Sequence, residues 1–423
     1  MHSHTPGRTL AAAALTAGLL TVGCGEGGGD SDEGDVTLSF TWWGPEARHE
    51  LTQEVIDLYE EQNPHVTIDP SYREWGAYWD SLATQSAGGD MPDIIQMDTG
   101  YLRTYADQGS LMELDGVDVS DHNEEVVANG IVDDSLYAVT IGINATVMAA
   151  NVSLFEEAGV ELPDDTAWTW EDYGEVAAEL GSQLDGAYGA EGPFGIGTLE
   201  LWLRQQGKEI RSEDGEELGF TEQDAERYFT EQLQLMHDGA YPGADAISEN
   251  QSAGHEQSLA GQGQAGLSTW SSNELLTIEG SSGDELVPLR MPTPASGEEE
   301  PGMFYKSSMY LSGSSQTEHP EEVQDFIEFF ANSTEAGEIM KTERGVPPNA
   351  EVLEAVNPDL EGLDADIAEL LQEIEDDVGD APPLPPAGGA DYGEIVYRYE
   401  LEVFFERMPP AEAAEAMIAE MGG

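Results

Sequence analysis

The chain has one cysteine, few basic residues and few histidines. A lone Cys24 excludes an internal disulfide framework. Eight scattered histidines argue against a zinc site, so no metal is expected. Against 86 acidic residues stand only 14 Lys and Arg, a formal net charge of −72. Such a field repels nucleic acid and anionic membrane surfaces, which excludes both as partners. Catalytic signatures are missing too: there is no HExxH, no GxSxG elbow and no Gly-rich P-loop. With so many acids, carboxylate pairs occur everywhere and carry no glycosidase signal. We therefore expect no enzyme and no cofactor.

Eight tryptophans and evenly recurring aliphatic residues argue for a folded chain despite the charge. The acids are spread along the sequence, as on an exported protein of a halophile whose self-repulsion is screened by salt. At the N-terminus, Arg8, His2 and His4 precede the uncharged run Leu10–Val22. A basic start, a short apolar run and a small-residue end make a secretory signal over residues 1–23. That run falls short of the about 20 apolar residues of a membrane span. Thr21-Val22-Gly23-Cys24 resembles a bacterial lipobox, although Leu20 stands one place earlier than the lipobox leucine. The resemblance implies lipidation of Cys24 and an anchor on the extracellular face of the cell membrane. Residues 24–35, rich in Gly, Asp and Glu, read as a flexible acidic tether. Removing residues 1–23 takes away one arginine and no acid, leaving a net of −73.

From Val36 the periodicities alternate. VTLSFTWW predicts a strand over 36–43 that stops at Gly44-Pro45, and Glu46–Gln62 carries apolar residues at helical spacing. A strand at Val66–Ile68, a helix at Tyr78–Ser86 and a strand at Asp93–Met97 come next. That order predicts an open α/β sheet with ligand groups at the carboxyl ends of its strands. Tyr137–Asn151 is too long for one average strand and reads as a segment passing between domains. Further on, helices are expected at Val152–Ala158, from Thr169 as N-cap, at Thr221–Asp238 and at Pro320–Asn332. Strands are expected at Phe194–Thr198, Ala265–Trp270 and Gly302–Ser312.

These pieces, in this order, resemble the extracellular solute-binding proteins of the carbohydrate group, the lipoprotein receptors of ABC importers. The marks are TWWG at 41–44, EEQNPHVTI at 60–68, MPDIIQMD at 91–98, VMAANVSLFEEAGV from Val147, WTWEDY at 168–173, AGLSTW at 265–270, FIEFFANS at 326–333 and RGVPPN at 344–349. The resemblance implies a two-lobed α/β periplasmic-binding-protein fold, a ligand cleft between the lobes and three hinge crossings, near Asn144, Pro301 and Arg344. One lobe would comprise 36–144 plus 302–343, the other 145–301 plus 344–423. The implied partners are a carbohydrate and the permease subunits of an importer, with the receptor itself a monomer. A receptor of this fold for a polyamine is the alternative, a glycoside-acting enzyme the more distant one.

A sugar presents hydroxyls and flat apolar faces, so its site needs aromatic platforms beside carboxylate, amide or guanidinium groups. The candidates at strand ends, hinge segments and adjoining loops are Trp43, Glu74, Asp98, Asn144, Trp202, Trp270, Tyr305 and Arg344. Trp42, on the opposite face of its strand from Trp43, is expected in the core. The charge generates the first prediction. The melting temperature should climb from low to molar salt as repulsion among the acids is screened; a flat or falling curve would contradict the halophilic reading.

Overall fold

In a computed structural model, the described residues are 34–193, 195–212, 217–294, 302–382 and 392–422. Cys24, Phe194 and Pro301 lie outside them. The chain divides into Met1–Asp35 and Val36–Gly423, and every described strand and helix belongs to the second unit.

Eleven strands are described: β1 (Val36–Trp43), β2 (Val66–Arg73), β3 (Ile94–Met97), β4 (Ile131–Val132), β5 (Ser135–Leu136), β6 (Val139–Asn144), β7 (Thr146–Asn151), β8 (Tyr188–Ala190), β9 (Ala265–Ser271), β10 (Leu286–Leu289) and β11 (Lys306–Gly313). They form a five-stranded sheet in the order β2-β1-β3-β11-β6 and a four-stranded sheet in the order β10-β7-β9-β8, with β4 and β5 as a small hairpin. In the first sheet β1 runs parallel to β2 and β3, while β11 runs antiparallel to β3 and β6. In the second, β7 is antiparallel to β10 and β9, and β8 is parallel to β9.

Each sheet has its own core. Leu38, Phe40 and Trp42 of β1 belong to the first core, where Phe40 meets Phe326 of the helix Pro320–Asn332 edge-on at 5.4 Å. Trp42 is 1 % exposed, a core residue as its strand face predicts. Val147, Ala149, Leu180, Leu267 and Phe404 anchor the second core. A third cluster joins the helices Ile196–Arg204, Glu222–His237, Tyr392–Phe404 and Pro410–Met421 through Trp202, Tyr228, Phe229, Val396 and Met417.

Local signals set most element ends. Thr169 and Asp172 form a capping box at the helix Trp170–Gln183, and Thr221 with Asp224 does the same for Glu222–His237. Each box satisfies backbone N–H groups that the first helical turn leaves open. One expected element is corrected. Residues 196–198, read as part of a strand, begin the helix Ile196–Arg204, and the strand of that region is β8, Tyr188–Ala190. The short apolar run had no periodicity long enough to separate the two forms.

The long segment from Tyr137 resolves into β6 and β7, separated by Ala145 alone. The chain passes between the two cores there, again between Tyr305 and Met309, and again between Met340 and Val346. The last passage bridges back on the first: Ile143 and Val346 exchange backbone hydrogen bonds of 2.8 and 3.1 Å. Gly142 lets these segments meet, because a Cβ there would sit inside contact distance of the Arg344 carbonyl. Gly142→Ala should therefore cost about 1–3 kcal/mol by overpacking. Urea unfolding measures it, and an unchanged midpoint would mean the Arg344 segment yields without cost.

Candidate functional site

Strand polarity brings a defined set of residues to one edge of each sheet. Parallel β1, β2 and β3 end at Trp43, Arg73 and Met97, with Asp98 next in the chain. Antiparallel β11 begins at Lys306, directly across from Asn144 at the end of β6. In the second sheet β7 begins at Thr146, paired with Ser271, and β8 ends just before Glu191. The two edges meet at Ala145, whose carbonyl accepts from Ser272 N–H at 2.9 Å.

Ile143 and Asn144 are consecutive on β6, so their side chains leave opposite faces of the hinge. Each opens on a crevice. On the Ile143 side a cavity of about 850 Å³ is lined by Asp121, His122, Tyr305, Pro347 and Gln372. On the Asn144 side a cavity of about 630 Å³ is lined by Arg48, Asn144, Asn273, Glu343 and Asp364. Asn144 is 4 % exposed, and its side-chain amide makes no hydrogen bond among the described residues. Arg48 holds one wall in place: its Nε donates to both Glu343 oxygens at 2.7 and 3.0 Å, and its guanidinium donates to the Trp43 carbonyl at 3.2 Å.

Several sequence-derived candidates are taken up inside their lobes. Trp43 is 8 % exposed and packed edge-on against Trp75 at 4.9 Å and Tyr78 at 5.1 Å. Trp202 lies in the third cluster, where its Nε1 donates to Glu231 at 2.7 Å and Arg227 covers its ring. Tyr305 donates its hydroxyl to the Leu371 carbonyl at 2.5 Å. Arg344 is 3 % exposed and reaches into the first lobe, donating to Thr52 Oγ1 at 2.8 Å and Gln96 Oε1 at 3.2 Å over the face of Phe330. Burial drops its pKa to about 9, against the pull of Glu343. For Trp202, Tyr305 and Arg344 the polar atoms are already committed to protein partners, so their placement is structural. The shared physical reason is that each sits in a segment whose partners come from far along the chain.

Four others keep their place at the edges. Asp98 is half-buried and caps the helix Thr99–Asp107 by accepting from Gly100 N–H at 2.8 Å. Burial raises its pKa, while the Gly100 hydrogen bond and the Lys306 charge pull it back. Glu74 is exposed at the N-cap of the helix Trp75–Gly88 and makes no capping hydrogen bond. Trp270, next to last in β9, lies on the second core, 8 % exposed and 5.4 Å from the His255 ring. Asn144 completes the set.

The structure adds residues that the sequence reading passed over. Trp75 and Tyr72 are 45 % and 51 % exposed at the same edge, Trp75 above Trp43 and Tyr72 stacked on His49 at 3.7 Å. The signal for them was present: the loop YREW comes after a strand end and holds two aromatic residues. Asn273, in the Ser/Asn turn after Trp270, lines the same crevice as Asn144.

Glu191 closes the second edge from beneath. It is 5 % exposed and accepts from Asn250 Nδ2 at 3.3 Å and from the Ala260 and Thr269 backbone. Burial pushes its carboxyl up to about 8, despite those donors. No group of three or more metal-ligating side chains occurs among the described residues, nor does a helix long and apolar enough to cross a membrane.

Two lobes, each with its own sheet and core, joined by three passages and opening a crevice at their hinge, define a two-lobed solute-binding protein. The chain belongs to the bacterial extracellular solute-binding proteins, whose family model matches residues 44–336. An uncharacterized lipoprotein of Streptomyces antibioticus is 28 % identical over 213 residues, 47 % of this chain and 45 % of that one. The chain thus spans about half the length of the curated relatives it matches. A family 1 extracellular solute-binding protein of Alicyclobacillus acidocaldarius superposes with a TM-score of 0.80 at 23 % identity, covering 92 % of this chain and 98 % of its own. A periplasmic oligogalacturonide-binding protein of Yersinia enterocolitica gives 0.77 at 20 % identity, covering 91 % and 97 %. At these identities the likeness shows the fold.

Glu191 generates a pH prediction. A carboxyl whose folded pKa, about 8, exceeds its ordinary 4.5 is neutral in both states at low pH and opposes folding increasingly as pH rises from about 4.5 through 8. Glu191→Gln should gain stability relative to wild type across that window. Urea unfolding at several pH values tests this, and a difference independent of pH would show the carboxyl ionised throughout.

Proposed function

We propose that this protein captures a carbohydrate between its lobes and delivers it to the permease subunits of an ABC importer, acting as a monomeric receptor held on the extracellular face of the membrane by a lipid on Cys24. The supporting observation is Asn144. Buried amides are almost always hydrogen-bonded, and an open one calls for a partner. Asn144 is buried, uncommitted among the described residues and lines the same cavity as Asn273.

Paired amides suit vicinal hydroxyls, since each offers both a donor and an acceptor. An ammonium ligand would use acceptors alone, which favours a sugar over a polyamine. Trp75, exposed above Trp43, supplies an apolar face for a pyranose ring. Trp270 and Asp98 approach from the second and first lobes, and closure about Ala145 would bring both onto one ligand. The lipid anchor rests on the sequence around Cys24 and on the lipoprotein name of the Streptomyces relative.

Calorimetric titration against a panel of neutral and charged oligosaccharides tests the reading. Asn144→Ala should weaken binding about tenfold or more, because ligand hydroxyls lose their partner. Trp75→Ala should cost at least about 2 kcal/mol, as for a buried aromatic anchor. The melting temperature of Asn144→Ala should barely move, since the Asn144 amide bonds nothing among the described residues. Wild-type protein that binds no saccharide would overturn the proposal.

A further inference from the structure

The two crevices beside the hinge differ in charge. Among the described residues, the cavity on the Ile143 side is lined by Asp121, Glu354 and Glu375 and by no lysine or arginine. That matches a chain with 86 acidic residues against 14 Lys and Arg. The cavity on the Asn144 side, about 630 Å³, carries Arg48 and Lys341 beside Glu343 and Asp364. Arg344, 3 % exposed, joins this wall through Glu343, with Nη1 at 3.3 Å from Oε2. Three cations and two carboxylates thus meet there, a local positive excess in a strongly acidic protein.

One carboxylate serves two guanidiniums. Glu343 accepts from Arg48 Nε at 2.7 and 3.0 Å and from Arg344 Nη1 at 3.3 Å. Neither arginine makes a second ion pair among the described residues. Arg344 spends its remaining reach on Thr52 Oγ1, Gln96 Oε1 and the Met340 sulfur. Arg48 spends one Nη1 hydrogen on the Trp43 carbonyl, and its Nη2 bonds nothing among the described residues. A guanidinium offers five N–H donors in a planar fork. Arg48, 11 % exposed, therefore keeps both Nη2 hydrogens open on the cavity that it shares with Asn144.

The acceptors of the wall are already engaged. Glu343 is held by the two arginines, and Asp364 accepts from Thr342 Oγ1 at 2.8 Å. The cationic donors are not. Lys341 is exposed, meets only the Asp359 carbonyl through Nζ at 3.3 Å, and forms no ion pair among the described residues. Lys341 also borders a surface pocket with Asp359 and Glu361, which leaves Arg48 as the principal open cation.

We infer that the Asn144-side cavity takes a saccharide bearing an acidic group, a carboxylate or a phosphate, whose oxygens accept from Arg48 Nη2 and the Asn144 amide, with Lys341 as the second cation. The inference rests on the carbohydrate reading of the same cavity. A neutral hydroxyl pair would leave the surplus charge of a partly buried wall without a counterion, which is costly. An ammonium ligand would add to that surplus. A ligand anion closes it through charge-assisted hydrogen bonds, roughly twice as strong as neutral ones. The acidic composition does not forbid this. Repulsion between exposed charges farther apart than about 8 Å is largely screened at physiological ionic strength, whereas a partly buried contact pair is screened much less.

Calorimetric titration with matched probes tests this. The acidic probes are the disaccharides of galacturonate, glucuronate and mannuronate and phosphorylated maltose; the neutral counterparts are the methyl esters of the uronates and maltose itself. An ester keeps the ring and removes the charge. Wild type should bind at least one acidic probe at least about tenfold more tightly than its counterpart, and the winning probe tells carboxylate from phosphate. Arg48→Gln should lose at least about tenfold on that probe and much less on the counterpart, with Arg48→Lys between them because it keeps the charge without the fork. Should the Arg48 variants melt early, the exposed Lys341→Gln carries the test: its preference for the acidic probe should shrink about threefold. Equal losses on both members of a pair in Arg48→Gln, an unchanged ratio in Lys341→Gln, or a neutral saccharide bound as tightly as its acidic relative overturns this inference and leaves the sugar reading standing. If wild type binds no saccharide, both fall.

Discussion

The one-residue link at Ala145 is the constraint on which the rest depends. β6 ends one sheet at Asn144 and β7 begins the other at Thr146, so the carboxyl edge of one sheet faces the edge of the other without a free linker between them. Ser272 fixes the link from the second lobe, and the Ile143–Val346 bridge fixes it from the returning chain. A hinge built this way has few soft dihedrals. Any rotation of the lobes is confined to this short bundle of passages.

Charge is handled differently inside and outside. The chain as a whole carries an acidic excess, and bulk salt screens repulsion among exposed acids. Inside, the few cations are placed with care. Arg344 is buried and fully engaged by Thr52, Gln96 and Glu343, tying the last passage to β3 and to the helix Glu46–Gln62. Arg48 holds Glu343 and the carbonyl that ends β1. Removing one partner of such a buried set is far costlier than the set is stabilising, because an unpaired charge remains behind. Arg344 is therefore read best as hinge architecture.

Much of the fold was legible locally. Period-two and helical patterns located β1, β3, β9 and the helices Glu46–Gln62, Glu222–His237 and Pro320–Asn332, and Thr169 announced its capping box. The segment at Phe194–Thr198 misled, because a brief apolar run fits a strand or a buried helix equally well. The site was less legible. Asp98 and Asn144 could be marked because strand ends and hinge segments have sequence signals. Trp75 was overlooked for Trp43, although the two lie against each other.

By itself the sequence determined the class of protein, through the order of strands, helices and punctuating loops and through an acidic, cysteine-poor composition that argues against whole groups of partners. These are sums or local periods, and they survive without knowledge of contacts. Only the tertiary structure decided which polar and aromatic groups remain available. Arg344 and Trp202 are consumed by residues such as Thr52 and Glu231, while Asn144, Trp75 and Lys306 are left at the hinge edges. Whether a side chain is committed depends on neighbours brought in from distant segments. No window of sequence contains those neighbours.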